Sequence, residues 1–146
     1  MLEILDSSFD PGKRLNSFSK TSGNAGGIAS FIGRVRGERG DVSGLYLESY
    51  PGVTEKGIQS ATDAAVKRWA LVDVLVIHRI GTMSPGEPIV MVITAAEHRR
   101  AAFEACDFLM DYLKTDAMFW KKQTGADGEK WIEPRTEDYK DRERWT

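Results

Sequence analysis

The stretch VDVLVIHRIGTMSPGEPIVMVITAAEHRRAAFEACDFLMDYLK, residues 72–114, decides the fold. Its two apolar runs, Val72–Ile80 and Ile89–Ala95, are separated by Ser84-Pro85-Gly86-Glu87, where proline at the second and glycine at the third position suit a type II turn. That pattern predicts an antiparallel strand pair. The segment from about Glu97 to Lys114 then changes period. Ala102, Cys106, Leu109, Met110 and Leu113 fall on one side of a helix, with Asp107 and Asp111 on the other.

The same alternation of elements extends outward. A short strand is expected at Leu2–Leu5, and Asp10 before Pro11 reads as an N-cap with proline at the first helical position. Ile28–Val35 and Leu45–Tyr50 read as strands, the second with Leu45 and Leu47 on one face and Tyr46 and Tyr50 on the other. Thr54 can cap a helix running to Trp69, whose Ile58, Ala61, Ala65, Val66 and Trp69 form a stripe expected to lie on a sheet. Downstream, Phe119–Gln123 and Lys130–Glu133 flank a turn containing Asp127-Gly128, a hairpin signal. The segments at 21–27 and 37–44 are loops by their Gly, Ser and Asp content. Strands that neighbour one another in sequence, with helices inserted between pairs, indicate an α+β domain rather than a doubly wound parallel sheet.

A chain of 146 residues with 41% apolar content is read as one domain, 1–146, with an acidic tail over about 136–146 that is free to be flexible. Twenty basic residues against 22 acidic ones leave −2, without the positive excess that attracts a nucleic-acid backbone or an anionic membrane. Apolar runs such as Val74–Ile77 are far below the roughly 20 residues needed to cross a bilayer. The start MLEILDSSFD lacks a signal peptide's plan, so a soluble, cytoplasmic protein is expected. With Cys106 as the single cysteine and only His78 and His98 as imidazoles, neither a disulfide, a metal site nor a resident cofactor is expected.

The remaining chemistry is cationic. Arg34 and Arg36 alternate along one strand and share a face; they are either a solvated strand end or one wall of an anion site. His98, Arg99 and Arg100 open the long helix, where cations oppose the helix dipole; they are either three exposed side chains or ligands for an anion. Lys114 closes that helix, where a cation also has a purely structural rationale. Lys121 and Lys122 are adjacent in a strand and face opposite ways, so at most one joins a given pocket. His78 reads as a structural histidine in an apolar strand, and Cys106 as a small hydrophobe. The net charge conceals local positive sites: residues 33–40 carry three arginines against Glu38, a net +2.

In this order and spacing, GGIASFIGRVRG, LYLESYPGVTEKGI, VLVIHRIGTMSPGE, AAEHRRAAFEACDFLMDYLKTDAMFWKKQ and KWIEPR resemble the large subunits of molybdopterin synthase, the MoaE family, over Gly26 to Arg135. The resemblance implies a mainly antiparallel α+β fold of α/β-hammerhead type with two principal helices. It implies conversion of cyclic pyranopterin monophosphate (precursor Z) into the dithiolene of molybdopterin. The sulfur would come from the C-terminal Gly-Gly thiocarboxylate of a small ubiquitin-like MoaD-type subunit, in a heterotetramer built on a homodimer of this chain. By the same motifs, Lys114 in DYLK and Lys121 in FWKK match the family's active-site lysines. Arg36, His98, Arg99 and Arg135 match residues that hold the anionic pterin, and Phe31 and Met110 match apolar pocket positions. Glu97, Met118 and the short GERGDVSG loop depart from the commoner family pattern.

His98 and Lys114 are 16 positions apart on one helix, roughly 24 Å at 1.5 Å per residue, so one small substrate cannot touch both. A pocket shared across a twofold axis would unite them, with Arg36, Lys114 and Lys121 from one subunit and His98, Arg99 and Arg135 from its mate. Lys114, held among cations, is expected to have a lowered pKa and an acid/base and electrostatic role, supported by Lys121. The glycine-rich segments are expected to leave room for the partner's tail. A non-catalytic module that binds a phosphorylated metabolite through the same arginines is the alternative; a partner ending in Gly-Gly separates the two.

Overall fold

Residues 74–79 and 90–96 are buried almost without interruption, which happens to strands that are covered on both faces. The computed structural model describes residues 1–37, 42–117, 119–125, 128–131 and 136–145. Along the chain these form β1 (Leu2–Leu5), α1 (Pro11–Lys20), β2 (Gly27–Arg34), β3 (Val42–Ser49), α2 (Val53–Trp69) and β4 (Asp73–Arg79). They continue as β5 (Gly81–Met83), β6 (Pro88–Ala96), α3 (Arg99–Thr115), β7 (Phe119–Gly125), β8 (Gly128–Trp131) and α4 (Thr136–Glu143). One four-stranded sheet has the order β1-β4-β6-β2 and a second the order β5-β3-β7-β8. Only the β1–β4 pair is parallel among the described pairings, so the fold is α+β with antiparallel sheets, as expected.

The first sheet is packed on both faces. Val74, Val76 and Val92 meet Ile58 and Ala65 of α2 and Ala102, Ala105 and Leu109 of α3. On the opposite face Leu75, Ile77, Met91 and Ile93 pack against Phe18 of α1. The alternation of strand side chains therefore divides β4 and β6 between two cores. Thr94, fully buried, donates its hydroxyl to the Ala102 carbonyl at 2.6 Å and ties α3 to β6. A third cluster of Val35, Leu47 and Met83 joins the second sheet to the first, and Phe119 packs against this cluster and against the α2–α3 core.

Several local expectations hold and several are corrected. Asp10 caps α1 by accepting from Lys13 N–H, with Pro11 at its start. Ser84–Glu87 is the type II turn, with Gly86 at φ +92° and Glu87 N–H donating to Ser84 O at 3.1 Å. It joins β5 to β6, however, because at Gly81 (φ +89°) the chain leaves β4 and lends three residues to the second sheet. Thr54 does not cap α2. Gly52 is the N-cap, Glu55 reaches back to its N–H, and the Thr54 hydroxyl accepts from Tyr50 N–H at 2.8 Å. The second strand ends at Arg34 rather than Val35, because its partner Pro88 has no N–H for the ladder and the register shifts there. The strand read at Lys130–Glu133 is β8, ending at Trp131; residues 132 and 133, and Asp127 of the turn, lie outside the described residues.

Asp111 is the clearest correction, since it is buried and not on a solvated face. The segment after α4 covers it: Arg144 and the Trp145 indole N–H donate to its carboxylate at 2.8 and 2.5 Å. Trp145 also packs edge-on against Trp69 and Phe108, with centroids 5.6 and 5.8 Å away, and Arg142 pairs with Asp116. The tail thus spans the α2–α3 groove and secures the end of α3 that carries Lys114. Asp111→Ala should cost about 1–3 kcal/mol through the orphaned donors. Urea unfolding measures this, and a midpoint equal to that of the unaltered chain would show that the tail is not held by Asp111.

Candidate functional site

The end of α3, the end of β2 and the inner face of the second sheet enclose a cavity of about 330 Å³. Each wall follows from strand or helix period. Met110, Leu113 and Lys114 project from the last turns of α3, Lys121 from β7, and Phe31, Arg34 and Arg36 from β2 and the residues after it. Beyond Arg34 the backbone leaves the ladder and Val35 takes up the turn instead: its N–H donates to Glu87 O at 2.9 Å, and its carbonyl accepts from Gly86 N–H at 2.8 Å. Glu87 is itself fixed by Arg79 at 3.1 Å and by Ser84 N–H at 2.6 Å, so the turn that carries Arg36 is braced from two sides. Gly33 lets the Val90 side chain lie close against β2 in the cavity wall, since a Cβ there would lie 2.7 Å from Val90 Cγ1.

Five of the eight residues expected to form the site are therefore brought together: Phe31, Arg36, Met110, Lys114 and Lys121. His98 and Arg99 are not. They lie with Arg100, Phe103 and Glu104 around a separate, open depression at the other end of α3, as its length requires. His98 is the N-cap rather than a first-turn residue and is almost fully exposed, its Nε2 3.7 Å from the Glu97 carboxylate. Arg135 lies outside the described residues. The expectation that glycines leave a channel for a peptide tail does not hold at Gly26 and Gly27. A Cβ on Gly26 would lie 2.2 Å from Glu97 O, so these glycines let β2 pass against the start of α3.

Arg34 joins the site, as the shared face with Arg36 implies, and His78 joins it although its sequence context marked it as structural. The available signal was the face it shares with Val74 and Val76, which is the face α3 covers. Its Nδ1 is 2.9 Å from Arg79 O and its ring is stacked on Phe119 at 4.0 Å and 19°. Burial, together with the charges of Lys121 and Lys114, pushes its pKa down to about 3, so the imidazole is neutral.

The lining contains Arg34, Arg36, Lys114 and Lys121 and no carboxylate among the described residues. Such a site attracts an anion. Lys121 is half-buried, and its pKa is lowered to about 8 by burial and by the Lys114 ammonium, against which Asp138 of α4 acts. An amine with that pKa exchanges a proton close to neutrality. Cys106, by contrast, is buried against Val92 O, with its pKa raised to about 12 mainly by burial, which is the behaviour of a core side chain.

A family model for the MoaE protein matches residues 4–116. The chain belongs to the MoaE family. It is 48% identical over 145 residues to the molybdopterin synthase catalytic subunit of Caulobacter vibrioides, covering 99% of this chain and 97% of that one. The solved structure of the molybdopterin biosynthesis MoaE protein from Burkholderia ambifaria superposes with a TM-score of 0.84 at 40% identity, covering 99% and 97% of the two chains. A Helicobacter pylori structure, a complex of subunits 1 and 2 of molybdopterin-converting factor, shares the fold with a TM-score of 0.79 at 20% identity, covering 92% and 91%.

Placing Lys114 and Lys121 in one cavity of this MoaE fold gives a direct titration test. The Lys121 side-chain resonance should titrate near pH 8, move upward in Lys114→Ala and downward in Asp138→Asn. A midpoint near 10.5, unmoved by either substitution, would contradict the described site.

Proposed function

We propose that this chain is the catalytic subunit of a cytoplasmic molybdopterin synthase, and that the cavity at the C-terminal end of α3 is where sulfur is transferred. The observation that carries this reading is the convergence of two lysines and two arginines, without a carboxylate among the described lining residues, in a largely apolar cavity of a MoaE-family chain. The sulfur donor is the C-terminal thiocarboxylate of a small ubiquitin-like subunit, and the acceptor is cyclic pyranopterin monophosphate. The assembly is a heterotetramer around a dimer of this chain.

The residues divide the work by their chemistry. Guanidinium groups bind phosphate oxygens bidentately and stay charged throughout, which suits Arg36 to the cyclic phosphate. As the thiocarboxylate sulfur forms a bond to a side-chain carbon of the pterin, the carbon–oxygen bond to phosphate opens, and its electrons end on an oxygen that the cations stabilise. Water then cleaves the acyl–sulfur bond, leaving one sulfur on the pterin and a carboxylate on the carrier; a second thiocarboxylated carrier delivers the other sulfur to the adjacent carbon, whose oxygen leaves as water, and hydrolysis again frees the carrier as a carboxylate. Lys114 stabilises the developing charge, and Lys121, with its lowered pKa, supplies or removes the proton. Phe31 and Met110 form the apolar wall. Because His98 and Arg99 lie at the far end of α3, they reach a pterin in this cavity only from a twofold mate.

Reconstitution with a thiocarboxylated small subunit and precursor Z, read as dithiolene product, tests the reading. Lys114→Ala should lower turnover by at least a hundredfold, and Lys114→Arg, which keeps the positive charge, should recover much of that loss. Mixing Lys114→Ala with His98→Ala chains should restore activity in heterodimers, in which one of the two sites regains all its groups. Verified heterodimers without activity would rule out shared sites, and full turnover by Lys114→Ala would rule out the cavity.

A further inference from the structure

Among the described lining residues, His78 is the uncharged polar side chain, and the sulfur-transfer scheme leaves it unused. The other polar side chains of the described lining residues are four cations, which in their charged forms only donate hydrogen bonds. His78 differs. A carbonyl oxygen can only accept, so the 2.9 Å contact between Nδ1 and Arg79 O places the ring proton on Nδ1 and leaves the lone pair on Nε2. The ring cannot readily rotate away from this orientation, because Phe119 is stacked on its face at 4.0 Å and the residue is buried. Nε2 has no hydrogen-bond partner among the described residues. Nor is it sealed from solvent: the orphaned buried side-chain atom among the described residues is Arg79 Nε, and His78 lines the open cavity.

We propose that Nε2 of His78 is a ligand-binding acceptor, which takes a hydrogen bond from an N–H group of the molecule seated against Lys114 and Lys121. The cations around it attract anions of any shape, whereas this fixed lone pair selects a ligand that carries a donor beside its negative charge. The proposal rests on the synthase reading, under which two such ligands enter: the carrier's tail, with glycine amides next to the thiocarboxylate, and the pterin, with ring N–H groups next to the phosphate-bearing portion. A charged imidazole would repel neither anion but would have no lone pair on Nε2, so the neutral form is the one that can read a donor.

The test uses the full chain with its small subunit and precursor Z, comparing the unaltered protein with His78→Phe and His78→Gln. Phenylalanine keeps the stack on Phe119 and removes the acceptor, while glutamine places an amide oxygen near the position of Nε2. Loss of one hydrogen bond should raise KM about tenfold for whichever component supplies the donor, with a smaller change in kcat, and His78→Gln should recover most of it. A raised KM for the carrier assigns the donor to the tail amide, and a raised KM for the pterin assigns it to the ring. Unchanged KM for both in an active His78→Phe enzyme overturns the proposal and leaves the synthase reading standing. Equal impairment of the phenylalanine and glutamine variants overturns it in favour of a packing role. Should His78→Phe not fold, His78→Met fills the slot without a nitrogen acceptor and is read in the same way. An unaltered chain that makes no product overturns the synthase reading and this proposal together.

Discussion

The site depends on how α3 lies across the β2–β6 pair. Ala102, Ala105, Cys106 and Leu109 present a narrow, mostly small-residue stripe to the sheet, which lets the helix pack closely, and the Thr94 hydroxyl anchors it to β6. From this single placement the two ends of the helix acquire different surroundings. Lys114 faces the second sheet and Lys121, whereas His98 and Arg99 stand in an open depression roughly 24 Å away along the axis. A rigid helix cannot bring its ends together, so any reaction that needs both requires a second copy of the chain.

The second sheet and the tail complete what α3 begins. At β5 the chain leaves the first sheet for three residues, and the turn after it grips Val35, which sets the direction in which Arg36 leaves the strand. Arg144 and Trp145 hold the buried Asp111, and Asp138 on the adjoining α4 partly offsets the repulsion between Lys114 and Lys121. The lysine pair is thus kept by opposing terms. Burial and like charge lower the pKa of Lys121, a nearby carboxylate limits the fall, and the resulting value of about 8 leaves the proton mobile near neutrality.

Much of this was legible in the chain. Period and turn chemistry gave the central strand pair, the stripe of α3, the Asp10-Pro11 helix start and the type II turn, because each depends on residues close in sequence. Family resemblance gave Phe31, Arg36, Met110, Lys114 and Lys121, which the fold gathers into one cavity. What was not legible depends on distant partners. Asp111 reads as solvated until residues 144 and 145 are known to return to it. His78 reads as a core histidine because nothing in β4 announces that its strand ends beneath Lys121. Thr54 has the right residue type for a cap, but the glycine two positions earlier already turns the chain and takes that place.

The central claim is that the cavity at the C-terminal end of α3 receives the acyl end of a partner's tail. The most direct measurement is acyl trapping: a small ubiquitin-like subunit with an activated C-terminal thioester is mixed with this chain, and the amide adducts are mapped by peptide mass spectrometry. The account predicts adducts concentrated on Lys121 or Lys114, the two amines that line the cavity. Adducts spread over lysines elsewhere, such as Lys13, Lys56 and Lys67, with none on this pair, would contradict it.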